Sequence, residues 1–469
     1  MLDGREKAPL AATRDMYLDD EGNVIPDLSI NGALSAGIPG EPAALAWLAE
    51  NYGSMALEDT LAPAIYSARN GFAVTERYRS LVEWRRELLL AHPAAAEIFL
   101  HNGEVPDLGA PIVQEDLAKT LEVLAREGHD GFYQGKIAEL LVEGVKDAGG
   151  IWSLEDLAQY EVAVREPVVF EYRDMEITSA ALPSSGGLVL AETLNILENY
   201  NLSEMSDVTA LHVTVEAMRR AYRDRAEYMG DPDFVDVPID MLTSQEYANG
   251  LSQSIRFDRS TKSADLAPTF VNLSNGEDTT HFSVIDHEGN MVSATLSINY
   301  PFGSGVVPPG TGVLLNDEMD DFSSKPGEPN AYGLVGAEAN AIAPGKRMLS
   351  SMSPTIVHTD ETALVLGTPG GSRIITMVLL GILAFEKGAG VEGIVNRTRY
   401  HHQFLPDYIQ FEQDTLDASL ASDLAALGHQ FKELGRTWGN MHAVMLNKET
   451  GEVTAASDER GEGEATVLP

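Results

Sequence analysis

The hydrophobic pattern of the chain changes character near residue 279. Residues 1–40 are loop-rich. From residue 41 to about 159, apolar positions recur at the three- and four-residue spacing of amphipathic helices. The first helix opens at Glu41 and Pro42, where proline suits an early helical position, and continues in good helix formers. Others are predicted near 57–70, 76–91, 112–127, 134–148 and 153–159. Alternation marks strands at 168–172 and 175–179. Pro183-Ser184-Ser185-Gly186-Gly187 then turns sharply into a helix over 188–200, followed by another over 206–228. Residues 258–278 have a loop composition of Pro, Asn, Ser and Gly. At Thr279 the pattern becomes period two, with runs over 279–285 and 291–297 about a turn at His287-Glu288-Gly289-Asn290, a loop feeding a β-hairpin. Beyond it, strands are predicted at 354–359, 363–367 and 441–447, and helices at 373–388 and 415–428. A division after Asp278 leaves residues 1–278 mainly helical and 279–469 mainly sheet, so the class is α+β.

Composition narrows the function. Seventy-two acidic residues against 32 basic ones give a net charge of −40. That field repels nucleic acid and anionic membranes, which excludes both as partners, and it fits high solubility or adaptation to salt. No cysteine is present, which removes disulfides, thiol nucleophiles and Cys-ligated metals. No apolar run approaches the ~18 residues of a membrane span. Met1-Leu2-Asp3-Gly4-Arg5-Glu6-Lys7 has no signal-peptide shape.

Familiar catalytic motifs are missing. Gly303-Ser304-Gly305 is followed by Pro308 where a dinucleotide loop needs glycine, and 367–373 lacks the Lys-Ser/Thr of a phosphate loop. There is no Gly-x-Ser-x-Gly elbow, and the 11 histidines are scattered without metal-site spacing, so no cofactor is expected. Thr279 offers different chemistry. Cleavage before it would place a free α-amine on the residue that bears the hydroxyl, and such an amine titrates near ~7.7–8.0, suitable for a general base. Downstream, Asn299, Glu318 and Asp321 combine an amide with two carboxylates that suit an ammonium group. Ser350 and Ser351 offer hydroxyls to a carboxylate, Gly370 and Gly371 offer backbone N–H groups to an oxyanion, and Arg5 can clamp a carboxylate. Singly, each also fits a plain role as solvated acid, turn or tight bend.

Taken together, these stretches resemble the γ-glutamyltranspeptidases. The likeness is carried by Arg5-Glu6-Lys7-Ala8-Pro9, Pro183-Ser184-Ser185-Gly186-Gly187 and Tyr228-Met229-Gly230-Asp231-Pro232-Asp233-Phe234 before the hairpin. After it come Thr279-Thr280-His281-Phe282-Ser283-Val284, residues 314–322, Ser350-Ser351-Met352-Ser353-Pro354-Thr355 and Gly370-Gly371-Ser372-Arg373-Ile374-Ile375. The resemblance implies an N-terminal-nucleophile hydrolase with a four-layer αββα core. Its precursor would cut itself before Thr279 into a large piece (1–278) and a small piece (279–469) that remain one intertwined fold. By the same resemblance, Thr279 attacks the γ-amide of glutathione and passes the glutamyl group to water or to an amino acid or peptide. Arg5, Ser350 and Ser351 would hold the α-carboxylate, and Asn299, Glu318 and Asp321 the α-ammonium. Gly370 and Gly371 would stabilise the oxyanion, and Tyr332 would close a lid over the site. A periplasmic or secreted location is also implied.

Two departures stand out. Ser297 occupies the position of the family's second, supporting threonine, keeping the hydroxyl and losing the stiffening β-branch. The family also has a segment before the Arg5 motif, with an export signal and opening core strands, so an exposed sheet edge and apolar surface are expected here. The alternatives are an unprocessed, inactive homologue, or a cephalosporin-type amide acylase of the same fold.

Overall fold

The computed structural model describes residues 1–266, 279–328, 336–413 and 415–468. At its centre is a six-stranded antiparallel sheet. Its strands in chain order are β1 (Val168–Tyr172), β2 (Met175–Ser179), β5 (Thr355–His358), β6 (Thr362–Gly367), β7 (His442–Asn447) and β8 (Val453–Ser457), and the spatial order is β8-β7-β6-β5-β2-β1. The intervening pair β3 (Thr279–Ile285) and β4 (Met291–Ser297) forms a separate antiparallel hairpin. β6 is apolar and buried from Ala363 onward, as a strand covered on both faces must be.

Three helices cover one face of this sheet. α1 (Gly186–Leu197) and α3 (Ile374–Glu386) are apolar nearly all round and buried, and α2 (Asp207–Tyr228) packs on α1. Ile177, Val357, Leu364 and Leu366 of the sheet share one core with Leu188, Leu194, Ile375 and Leu379 of the helices. The hairpin lies against the other face. Ser293 Oγ donates to the Leu366 carbonyl at 3.1 Å and accepts from Thr355 N at 3.0 Å. Gly367, ending β6, can hold no side chain, because a Cβ there would meet the His281 imidazole at 2.1 Å. Helix, sheet and hairpin layers thus give the mixed helix-and-sheet class. The hairpin's outward Phe282, Val284 and Val292 are exposed, and β3 and β4 pair only with each other among the described residues.

The helices of residues 41–158 form a second core around Tyr133, Leu141, Trp152 and Tyr160. This lobe carries the chain start. Leu2 and Asp3 pair with Val164 and Ala163, and Tyr160 donates to the Arg5 carbonyl at 2.8 Å. Most predicted elements appear within a few residues of their expected ends. The helix expected over 112–127 begins at Glu115, and the one over 415–428 is shorter, Ala418–Ala426. The helix Gln245–Gln253 and the edge strand β8 were not anticipated; Val453-Thr454-Ala455-Ala456-Ser457 is too weakly apolar to stand out.

Glu192 on α1 is fully buried, with the Asp224 side chain beside it. Burial, and Asp224 beside it, raise its pKa well above the carboxylate range. A raised folded-state pKa stabilises most below the unfolded value of about 4.3, and that contribution is lost as pH rises. Glu192→Gln, neutral and isosteric, is therefore expected to raise the melting temperature at pH 8 relative to the parent and to flatten its decline between pH 5 and 8. A lower melting temperature at pH 8 would show that the carboxylate is ionised and paired.

Candidate active site

Thr279 begins β3 directly opposite Ser297, the last residue of β4. Their hydroxyl oxygens are 3.2 Å apart, and Ser297 Oγ accepts from Asn299 N at 2.8 Å. The hairpin register therefore sets the Thr279 hydroxyl against that of Ser297. Asn299, at φ 72°, turns the chain out of β4 and donates its amide to the Asp317 carbonyl at 3.1 Å. Asp278, on the other side of the expected cleavage point, lies outside the described residues, as does Tyr332 of the expected lid.

Glu318 and Asp321 sit on a single 3₁₀ turn. The turn is held from behind by Asn316, whose side chain exchanges two 2.9 Å hydrogen bonds with the backbone of Gly37 and accepts from Glu318 N at 3.1 Å. Arg5 reaches this turn from the opposite end of the chain. Its Nη1 is 2.6 Å from Glu318 Oε2, its Nη2 is 2.5 Å from Asp321 Oδ2, and its Nε donates to the Met348 carbonyl. Burial opposes the Arg5 charge, but Glu318 and Asp321 hold its pKa above the ordinary value. Burial and Asp321 push Glu318 up to about 7, against the pull of Arg5 and Ser297.

Ser350 and Ser351 approach from the loop that leads into β5, where Ser350 makes an isolated bridge to Ser184, and Gly370 and Gly371 from the loop after β6. Both glycines have positive φ, 141° and 56°, and a Cβ on Gly370 would lie 2.5 Å from Met377 Cε. They lead through a 3₁₀ turn into the N-terminus of α3, and among the described residues neither N–H is engaged. Free amides at a helix start present partial positive charge. A small pocket is lined by Arg5, Thr279, Ser297, Asn299, Glu318, Asp321, Ser350, Ser351 and Gly371. Met352, Ser372 and Ile374 complete it, residues that the sequence reading did not single out, while Gly370 stands one position behind the wall.

Whole-chain comparisons agree with this geometry. Residues 1–468 match the gamma-glutamyltranspeptidase family model. The chain belongs to the γ-glutamyltranspeptidase family. It is 41% identical to the glutathione hydrolase proenzyme of Escherichia coli (strain K12), a match covering 99% of this chain and 81% of that one. The glutathione hydrolase proenzyme of Pseudomonas aeruginosa is 41% identical over 100% and 84% of the two chains. Among solved structures, the γ-glutamyltranspeptidase of Helicobacter pylori superposes with a TM-score of 0.55 at 43% identity, over 57% of this chain and 77% of that one. A cephalosporin acylase from Bacillus halodurans shares the fold, with a TM-score of 0.85 at 24% identity over 100% and 84%. This γ-glutamyltranspeptidase is thus an enzyme of the glutathione hydrolase class with an N-terminal-nucleophile hydrolase fold.

Histidine does not supply the base. His281, two residues from Thr279, is buried between Thr295 Oγ1 and Ser283 Oγ, and burial pulls its pKa down to about 3. The histidines are less scattered in space than in sequence, since His212 and His429 contact at 2.7 Å beside Glu216. There Glu216 is already bound by Arg219 and Arg220. The ion cluster in the pocket makes a quantitative prediction. Arg5→Met leaves the buried Glu318 and the half-buried Asp321 facing each other without a counter-ion, so denaturant titration should show a loss of about 3–5 kcal/mol. A loss below about 1 kcal/mol would mean that these carboxylates are solvated.

Proposed function

We propose that this γ-glutamyltranspeptidase cleaves itself between Asp278 and Thr279 and then transfers the γ-glutamyl group of glutathione. The new α-amine of Thr279 takes the hydroxyl proton as Oγ1 attacks the γ-carbonyl. The N–H groups of Gly370 and Gly371 receive the oxyanion, the leaving amine departs with a proton, and a glutamyl ester remains on Thr279. Water, an amino acid or a peptide then resolves that ester. Ser297 orients the nucleophile through the 3.2 Å contact between hydroxyls. Arg5, Ser350 and Ser351 bind the substrate's α-carboxylate, and Asn299, Glu318 and Asp321 its α-ammonium, so a zwitterionic glutamyl head exchanges with the resting Arg5 ion pairs. Met352 and Ile374 face its methylenes.

The observation that carries this reading is the shared pocket, in which Thr279 stands beside two carboxylates, an amide, two hydroxyls and a guanidinium. The buried carboxylates favour a donor with an ammonium group over an amide acylase substrate that lacks one. The pieces 1–278 and 279–469 stay associated after cleavage, because β2 of the first is hydrogen-bonded to β5 of the second within one sheet. Among the described residues no helix is long and apolar enough to cross a membrane. We place the enzyme in the periplasm or outside the cell, as the resemblance implies. Hydrolysis of a chromogenic γ-glutamyl anilide is expected from the purified protein and should disappear in Thr279→Ala. Persisting turnover in that variant would remove Thr279 from the chemistry.

A further inference from the structure

Arg225, in the last turn of α2, is a buried cation that no sequence motif singled out. It is 4% exposed, and among the described residues no carboxylate lies within ion-pair distance. A guanidinium in such a place loses its hydration and needs compensation. Its compensation comes from two hydroxyls. Nε donates to Ser185 Oγ at 2.8 Å and Nη2 to Ser351 Oγ at 3.1 Å. Ser185 in turn grips Ser350, giving its backbone N–H (2.8 Å) and its hydroxyl (2.7 Å) to the Ser350 carbonyl. The Pro183–Gly187 turn thus acts as a bracket between α2 and the pocket wall, since Ser350 N also donates to the Pro183 carbonyl.

The direction of these bonds matters. Ser351 Oγ accepts from Arg225, and Ser350 Oγ accepts from Met352 N at 3.1 Å. Each hydroxyl has an acceptor position filled from behind, which leaves its proton to point into the pocket. A hydrogen bond accepted from a cation also strengthens the hydroxyl as a donor. The charge balance leads to the same conclusion. Arg5 faces three carboxyl groups, Glu318, Asp321 and, at 3.6 Å, Glu6, an acidic surround that opposes an entering carboxylate. Arg225 supplies the missing positive charge, one hydroxyl behind the pocket wall.

We propose that Arg225 is a positioning residue for the donor's α-carboxylate. It presets Ser351 directly, and Ser350 through Ser185, as hydroxyl donors, and it offsets the acidic side of the pocket. This inference rests on the assignment of Ser350 and Ser351 to that carboxylate. It distinguishes Arg225 from a purely structural brace, because its effect must depend on whether the substrate carries the negative charge.

The test compares kcat/KM for γ-L-glutamyl anilide with that for its α-carboxamide analogue, which is isosteric and neutral. The parent enzyme should prefer the carboxylate by about 100-fold, the scale of one or two hydrogen bonds to a charged group. In Arg225→Gln that preference should fall at least about tenfold, chiefly through KM for the charged donor, with turnover of the carboxamide nearly unchanged. Arg225→Lys, which keeps the charge and loses the fork, should fall between them. In a Ser351→Ala background the Arg225→Lys change should have less effect than in the parent, since the relay is already cut. If Arg225→Gln does not fold, Arg225→Lys alone and in the Ser351→Ala background decides the matter. An unchanged preference in processed, active Arg225 variants, with both substrates slowed equally, would overturn the proposal. A parent protein that turns over neither anilide would instead refute the γ-glutamyl reading itself.

Discussion

Arg5 Nη1 and Glu318 Oε2 lie 2.6 Å apart and buried, although 313 positions separate them in the chain. Holding that pair in place constrains much of the surrounding structure. Asp3 accepts from Arg5 N and is itself bound by Arg165, Tyr160 fixes the Arg5 carbonyl, and Asn316 ties the Glu318 turn to Gly37. For stability alone the arrangement is poor value, because apolar side chains of similar volume would commonly serve as well as a buried ion cluster. Its cost makes sense if a charged ligand exchanges with it. A zwitterionic head brings an ammonium for the carboxylates and a carboxylate for the cationic side, so the charges uncovered during exchange are paired again.

The nucleophile depends on a second constraint, the register of the hairpin. Because side chains alternate along a strand, a slip of one residue would turn Thr279 away from Ser297. The register is locked where the hairpin meets the sheet, through Ser293 to Leu366 and Thr355 and through His281 packed over Gly367. The Gly370 and Gly371 amides, proposed to receive the oxyanion, come from the loop after β6, where positive φ bends the chain into α3. Sheet, hairpin and helix start therefore meet at one point, and each contributes a group that the other two lack.

The hairpin, the α1 and α2 helices and the acidic turn were legible in the sequence because each has a clear local signal of period, cap or charge. The site residues became legible through their order along the chain, since none of them is persuasive alone. What escaped was set by tertiary contacts. Arg219, Arg220 and Arg225 belong to no sequence motif, yet all three are buried, the first two sharing Glu216 and the third set against Ser185 and Ser351. Glu192 reads as a polar position on α1 and is completely enclosed. The edge strand β8 has little pattern of its own and is defined by pairing with β7. On the outer side of the hairpin Phe282, Val284 and Val292 are exposed.

The central claim is that the bond before Thr279 is the protein's first substrate and that Thr279 thereby gains its own base. Denaturing electrophoresis of the purified protein, with N-terminal sequencing of each band, tests this most directly. The account predicts two fragments, the smaller beginning Thr-Thr-His-Phe-Ser at Thr279. A single full-length band from folded protein, or a fragment beginning at any other residue, would contradict it.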